Sequence, residues 1–396
     1  MVGKVRIMWR FLTPHIKFGK NSLEYLKDLD GKKALIVTDE ALRRLGFPDR
    51  VAGLLKESSI ESKVFDGVKP DPSSIEVEKG VKVAKEFQPD WIVGLGGGSS
   101  MDTAKAVWVL YERPDLEIDD LKDLSLHLDL RKKARFLAIP TTSGTGSDCT
   151  WAIVITDSKK HKKMEFASDE IVADVAIIDP EFVLRMPRQI TADTGLDTLC
   201  HAIEGYVSVW RNDFTDGLAI KAIQLVFENL PRAYKLGEKA EKAREHMHNA
   251  ASIGGITFGN SQAGFAHSMG HSLGAVFNIP HGRAVGVVLP YVMQFNSKKV
   301  GNLYAEIAKS LGIEGNSENE TVELLVDKLE SLMKEIEEPA SIKDLGIKKK
   351  DFEERFEELV NKAVTDYCTP MNPRKVSKED CQNLYEYAYE GKDIDF

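Results

Sequence analysis

Five residues in two apolar, glycine-rich stretches carry the strongest chemical signal. "TADTGLDTLCHAIEGY" places Asp197 and His201 four residues apart, and "GFAHSMGHSLGAVFNIPHG" adds His267, His271 and His281. On a helix, residues four apart share a face, with Cβ atoms roughly 5–6 Å from one another, so Asp197 and His201 can reach one cation. A lone histidine in an apolar helix is usually a hydrogen-bonded core residue. A carboxylate with several imidazoles is harder to explain in that way, because unpaired polar groups in a core cost free energy. Imidazole nitrogens plus one carboxylate suit Fe²⁺, Zn²⁺, Co²⁺ or Ni²⁺. Spacing does not choose between His267 and His271. Cys200 is read as packing. The other histidines, His15, His127, His161, His246 and His248, lie in charged or exposed-looking contexts and receive no role.

A second chemistry is written in "WIVGLGGGSSMDTAK", residues 91–105. An apolar strand ends in glycines and a helix follows at once, which leaves free N–H groups for an anion at the positive end of the helix dipole. Gly96, Gly97, Gly98 and Ser99 can cradle a pyrophosphate, Ser99 or Ser100 can cap the helix, and Asp102 falls in its first turn. The loop is not GxGxxG, since Ser99 occupies the third glycine position, and it lacks the lysine of a P-loop. Two more strand ends join it. "IVTD" closes on Asp39, where a carboxylate can accept ribose hydroxyls and repel a 2′-phosphate, favouring NAD over NADP; Asp39 reads equally as the N-cap of "EALRRLG". "IPTTSGTGSD" supplies Thr141, Thr142 and Thr145. Ligands of parallel sheets gather at such carboxyl ends.

The elements that must position these groups change character along the chain. "KALIVTD" (33–39), "SKVFDGV" (62–68), "DWIVGLGGG" (90–98), "RFLAIPTTS" (135–143) and "VAIIDP" (175–180) read as strands, with helices at 73–88 and 102–112 between them. Such alternation predicts a parallel sheet covered by helices. After Met186-Pro187 the pattern is helical throughout. The expectation is an α/β, Rossmann-like dinucleotide-binding domain over 1–186 and an all-helical metal-binding domain over 187–396, whose charged helices "TVELLVDKLESLMKEIEE" and "KKDFEERFEELVNKAV" have solvated outer faces. A net charge of −9 over 396 residues, with mixed signs, argues against nucleic acid or an anionic membrane as partner. No stretch approaches the ~18–20 apolar residues of a membrane span, and "MVGKVRIMWRF" lacks a signal-peptide core. Four distant cysteines without a CxxC suit a reduced, cytoplasmic protein.

Taken in order, "GGGSSMDTAK", "IPTTSGTGSD", "DTGLDTLCHAIEGYVS", "GFAHSMGHSLGAVFNIPHG" and the late "NPR" (372–374) resemble the iron-dependent (group III) alcohol dehydrogenases over essentially the whole chain, with "FLTPHIKFGKNSLEYL" similar to the family's first strand. The resemblance implies an architecture like that of dehydroquinate synthase, with a catalytic cleft between the two domains. It implies Asp197, His201, His267 and His281 as metal ligands, with Fe²⁺ the first choice and Zn²⁺ or another divalent ion as substitutes. His271 matches a histidine near the substrate that is not a ligand. Gly97, Gly98, Ser99 and Asp102 match the pyrophosphate loop, Thr141, Thr142 and Thr145 further nucleotide contacts, Asp39 the ribose position, and Asp71 and Lys163 weaker cofactor contacts. Asp148, Cys149 and Ala152 depart from the family pattern. The expected activity is hydride transfer between NAD(H) and a small primary alcohol or diol and its aldehyde, in a homo-oligomer, dimer or larger. Three rivals stand beside it: a lyase of dehydroquinate synthase type, for which Arg283 is the clearest anion-binding residue; a zinc polyol dehydrogenase, against which the intact "DTLCH" speaks; and a metal-binding protein without turnover.

Overall fold

The computed structural model describes residues 10–122, 127–158 and 162–396, with the side chains of 122, 162 and 163 outside that description. His161, most of the N-terminal leader and the side chain of Lys163 therefore lie outside the described residues. The strands are β1 (His15–Phe18), β2 (Lys33–Asp39), β3 (Glu61–Val68), β4 (Trp91–Gly96), β5 (Arg135–Pro140), β6 (Ala152–Asp157), β7 (Lys162–Ala167) and β8 (Val175–Ile178). The helices among them are α1 (Glu40–Arg44), α2 (Phe47–Glu57), α3 (Ser74–Phe87) and α4 (Gly98–Glu112). Six strands form one parallel sheet in the order β1-β8-β5-β4-β2-β3. Its alternating residues serve two cores, as side chains on successive strand positions must. Leu35, Val37 and Ile92 pack with α3 and α4, while Ala34, Ile36 and Val93 pack with α2.

β1 falls in the segment similar to the family's first strand and joins the sheet beside β8. The departure from the sequence reading is β6 and β7, which form an antiparallel hairpin outside the sheet. β6 alternates buried and half-buried residues, so it lacks the continuous apolar run that marks the parallel strands. β4 stops at Gly96 and α4 begins at Gly98 rather than at residue 102, and β5 ends at Pro140 rather than at residue 143. α3 starts where expected, fixed by a capping box of Ser73 and Glu76.

From Arg188 onward the described chain is helical: α5 (Arg188–Val207), α6 (Asp213–Leu236), α7 (Glu241–Ser261), α8 (Phe265–Phe277), α9 (His281–Ser310), α10 (Glu318–Glu335), α11 (Lys349–Val364) and α12 (Lys378–Glu390). α5 is buried almost all round, from Leu196 through Val207, which marks it as the central helix of this layer. α10 and α11 bury one stripe each, such as Leu325, Leu329 and Leu332 or Leu359 and Val360, and leave their charged faces in solvent. No helix of the described residues is long and apolar enough to cross a membrane.

Candidate metal centre and nucleotide crevice

Three helices bring one carboxylate and three imidazoles together. α5 carries Asp197 and His201, α8 carries His267, and α9 opens on His281. Asp197 Oδ1 lies 3.7 Å from His201 Nε2, 3.8 Å from His267 Nε2 and 3.2 Å from His281 Nε2. Two ligands of a shared ion at about 2.0–2.1 Å in tetrahedral geometry stand roughly 3.3 Å apart, so these separations suit one cation. The close approach of α9 to α5 depends on Gly282, where an added Cβ would sit 2.0 Å from the Asp193 carbonyl oxygen. Asp197, His201 and His267 are buried, and His281, 41% exposed in its side chain, leaves the cluster open on one side.

The electrostatics point the same way. Burial alone disfavours the Asp197 carboxylate, yet the facing His201, His281 and His267 rings hold it below the usual carboxylate range. Burial pushes His201 down to about 3 against the pull of Asp197, so its ring is neutral and keeps a lone pair to donate. Among the described residues, Asp197 Oδ1 and His267 Nε2 are buried with no hydrogen-bond partner. Buried polar atoms are almost always paired; two orphans aimed at one space are what a metal would satisfy. Phe258 from α7 stacks on His201, ring centres 4.1 Å apart.

Two carboxylates that sequence reading missed back the histidines. Glu204 Oε2 lies 2.5 Å from His267 Nδ1, and Asp366 Oδ2 lies 2.9 Å from His271 Nδ1. Glu204 had a usable signal: it stands seven residues after Asp197 and three after His201, on the same face of α5. Asp366 had none, since it follows α11 nearly a hundred residues after its partner. His271 is outside the four-residue cluster, but its ring stacks on that of His281 at 5.3 Å. Arg283 is engaged by Asp193 at 3.0 Å and Glu338 at 3.2 Å. Two acids on one guanidinium leave it unsuited to an anionic substrate, which removes the main support for the lyase reading.

Asp39, the Gly96–Ser99 loop and Thr141, Thr142 and Thr145, expected to contact a nucleotide, lie at strand ends where the strand order reverses. β3 lies on one side of β2 and β4 on the other, so the crevice opens between the ends of β2 and β4. Gly96 has φ +152°, and a Cβ there would lie 2.5 Å from Ser100 Cβ. The N-cap of α4 is Gly97 with no side-chain cap, so neither Ser99 nor Ser100 caps the helix. Thr142 packs against Gly97 and Thr145 against Gly98. The Thr141 N–H bonds the Gly96 carbonyl at 3.0 Å, joining the two loops. Asp39 Oδ1 caps α1, accepting from the N–H groups of Ala41 and Leu42 at 2.8 and 2.9 Å; Oδ2 stands 3.5 Å from Ser100 Oγ. Asp102 turns toward the hairpin, accepting from Ser147 Oγ at 2.7 Å and the Val154 N–H at 3.0 Å. Lys105, fully buried and lowered by burial to about 8, donates to the Thr150 and Ala152 carbonyls at 2.9 and 3.1 Å. Together they fasten α4 to the 147–154 segment. Asp71, at φ +55°, precedes the bridge of Ser73 to Thr156 on β6, whose partner in register on β7 is Lys163. Thr198, next to Asp197, donates to the Ser143 carbonyl at 3.2 Å and so holds α5 against the loop that follows β5.

His248 corrects the sequence reading. It is buried rather than exposed, because α7 packs its ring against Ser143, whose Oγ lies 3.3 Å from Nδ1. Burial pushes its pKa from 6.5 down to about 4. Above pH 6.5 both folded and unfolded chains hold it neutral, and its stabilising contribution is complete. As pH falls from 6.5 toward 4 only the unfolded chain takes up the proton, and about 3 kcal/mol is lost. His248→Gln is expected to remove that part of the acid destabilisation, measured by urea unfolding of metal-free protein at pH 7 and pH 4.5; equal losses in both proteins would contradict it.

Comparison with known proteins agrees with the fold. The family model described as iron-containing alcohol dehydrogenase matches residues 13–180, and the one described as Fe-containing alcohol dehydrogenase family, C-terminal, matches residues 191–389. An NADPH-dependent butanol dehydrogenase of Clostridium saccharobutylicum is 44% identical over 391 residues, covering 98% of this chain and 100% of that one. Aldehyde-alcohol dehydrogenase 2 of Entamoeba histolytica is 40% identical over 408 residues, and 97% of this chain aligns with only 47% of that longer protein. The crystal structure of a 1,3-propanediol oxidoreductase superposes with a TM-score of 0.91 at 33% identity, covering 96% of this chain and 100% of that one. The chain belongs to the iron-containing alcohol dehydrogenase family. It is an alcohol dehydrogenase, an enzyme of the oxidoreductase class.

Proposed function

We propose that this enzyme exchanges hydride between a nicotinamide dinucleotide and a small primary alcohol or diol and its aldehyde, at a divalent ion, iron first, held by Asp197, His201, His267 and His281. The observation that carries the reading is the convergence of those four donor atoms within 4.8 Å, two of them buried and unpartnered. When bound, the metal supplies a Lewis acid for the substrate oxygen and the nicotinamide supplies the hydride site. The chain does the rest. Gly97, Gly98 and Ser99, with Thr142 and Thr145, present N–H and hydroxyl groups to the pyrophosphate, and Thr141 holds the two loops together. His271 keeps its proton on Nδ1 toward Asp366, so Nε2 receives or returns the alcohol proton. Phe258 gives the cluster an apolar wall. Elemental analysis of anaerobically purified protein, paired with NADH and NADPH oxidation across an aldehyde panel, tests the reading. The expected result is about one metal per chain and turnover of small aldehydes; metal-free protein that cannot be loaded and turns over none would overturn it.

Family membership leaves the nucleotide open, since the Clostridium relative is named for NADPH. NAD is the proposed cofactor because Asp39 sets a carboxylate at the end of β2, beside the strand-order reversal. Asp39→Asn keeps an oxygen to cap α1 and removes the charge. It is expected to raise the NADPH-to-NADH ratio of kcat/KM about tenfold, equivalent to roughly 1.4 kcal/mol. An unchanged ratio in a folded variant would take Asp39 out of ribose recognition. A cytoplasmic setting and a homo-oligomer belong to the same reading; four buried, free cysteines support the first, and sedimentation velocity decides the second.

A further inference from the structure

We infer that Glu204 is a positioning residue for metal binding: it fixes the proton of His267 on Nδ1 and so presents Nε2 to the ion. The inference rests on the proposed four-residue metal centre. Glu204 is 2% exposed, and its carboxylate accepts the N–H groups of Ala266 at 2.6 Å, Gly264 at 3.0 Å and, less closely, His267 at 3.4 Å. The same carboxylate lies 2.5 Å from His267 Nδ1. An acceptor-only group that already collects backbone N–H donors makes the ring nitrogen the donor. The lone pair is then confined to Nε2, the unpartnered atom 3.8 Å from Asp197 Oδ1. A ligating histidine held through its other nitrogen by a carboxylate is oriented and made more basic. α8 has no side-chain cap from its own N-cap residue, Gly264, so Glu204 also serves as the cap, and an added Cβ at Gly264 would sit 2.9 Å from Glu204 Oε1. The helix that contributes two ligands thus orients a third on a different helix.

Capping and tautomer selection can be separated by experiment. Glu204→Gln keeps the size and one acceptor oxygen but offers an amide N–H toward Nδ1, which favours the proton on Nε2, where it blocks ligation. Asn372→Ala removes a different acceptor at the same helix end, the Oδ1 that lies 3.3 Å from the Phe265 N–H, and leaves the His267 ring alone. Zn²⁺ affinity is measured on full-length, metal-stripped protein by competition with a chromophoric chelator, alongside the melting temperature of each metal-free form. The expected result is a 10–100-fold loss of Zn²⁺ affinity in Glu204→Gln and less than threefold in Asn372→Ala. Equal losses in both variants, or wild-type affinity in Glu204→Gln, would reduce Glu204 to a helix cap. A native protein that binds no Zn²⁺ would instead overturn the metal centre itself. A crystal of the Zn²⁺-loaded native protein checks the inference without any variant: the ion must meet His267 Nε2 with Nδ1 still on Glu204, and ligation through Nδ1 would end it.

Discussion

Asp197→Asn is expected to lose its metal and at least about 10³ in kcat/KM, while its metal-free form melts no lower than the metal-free native protein. The first half follows from geometry. Asp197 Oδ1 stands within 3.8 Å of all three imidazole Nε2 atoms, and it brings the only negative charge of the four-residue set. Losing the Lewis acid removes several kcal/mol of transition-state stabilisation, and each ~1.4 kcal/mol is a factor of ten. The second half follows from burial. In the protein alone this oxygen is buried without a hydrogen bond, an arrangement that costs free energy until a cation meets it. The rings that hold this carboxylate low do so when charged; at neutral pH His201, the strongest of them, is neutral. A neutral amide of the same shape therefore relieves the burial cost, as is usual where a site is built for function at the expense of stability. Saturating metal should therefore raise the melting temperature of the native protein and leave the variant unmoved. Metal content by elemental analysis, kcat/KM and paired melting curves decide it; full occupancy or activity within tenfold of native would contradict the assignment.

Much of this site could be read from the chain because its parts are local. Asp197 and His201 are one helical turn apart, and the Gly96–Ser99 loop announces itself where an apolar strand breaks. Contacts between distant segments were not readable. Asp366 meets His271 only because α11 packs on α8, and no periodicity records that. His248 looked exposed because "EKAREHMHN" is charged; α7 turns His248 inward and leaves Glu241 and Lys242 outside. The hairpin of β6 and β7 escaped because a half-buried ribbon carries a weaker apolar signal than a sheet buried on both faces. Asp39, at the end of β2, and Asp102, in α4, show the limit of reading one residue at a time. Each was assigned to the nucleotide, and each also has a structural partner: the start of α1 for Asp39, the hairpin for Asp102.

His271→Ala is expected to lower kcat by about 10² with metal content unchanged, the size usual for loss of a positioned acid–base group. The structure gives reasons for both halves. Asp366 is ionised: burial opposes this, but His271, the Cys368 N–H and Ser268 outweigh it and hold the carboxyl below its usual range. A carboxylate has no proton to give, so His271 Nδ1 must donate, which leaves Nε2 as the ring's proton-exchanging atom. Its ring stacks on that of His281 and lies 5.8 Å from that of His267, which sets it beside the cluster. The four proposed ligands do not include it, so the ion should stay. Asp366→Asn sharpens the argument, because its amide can donate to Nδ1 and move the ring proton to Nε2. The two substitutions then damage one unit: Asp366→Asn should lose most of what His271→Ala loses, and the double variant little more than either. Additive losses would show that Asp366 acts elsewhere, and loss of metal in His271→Ala would make His271 a ligand rather than a proton carrier.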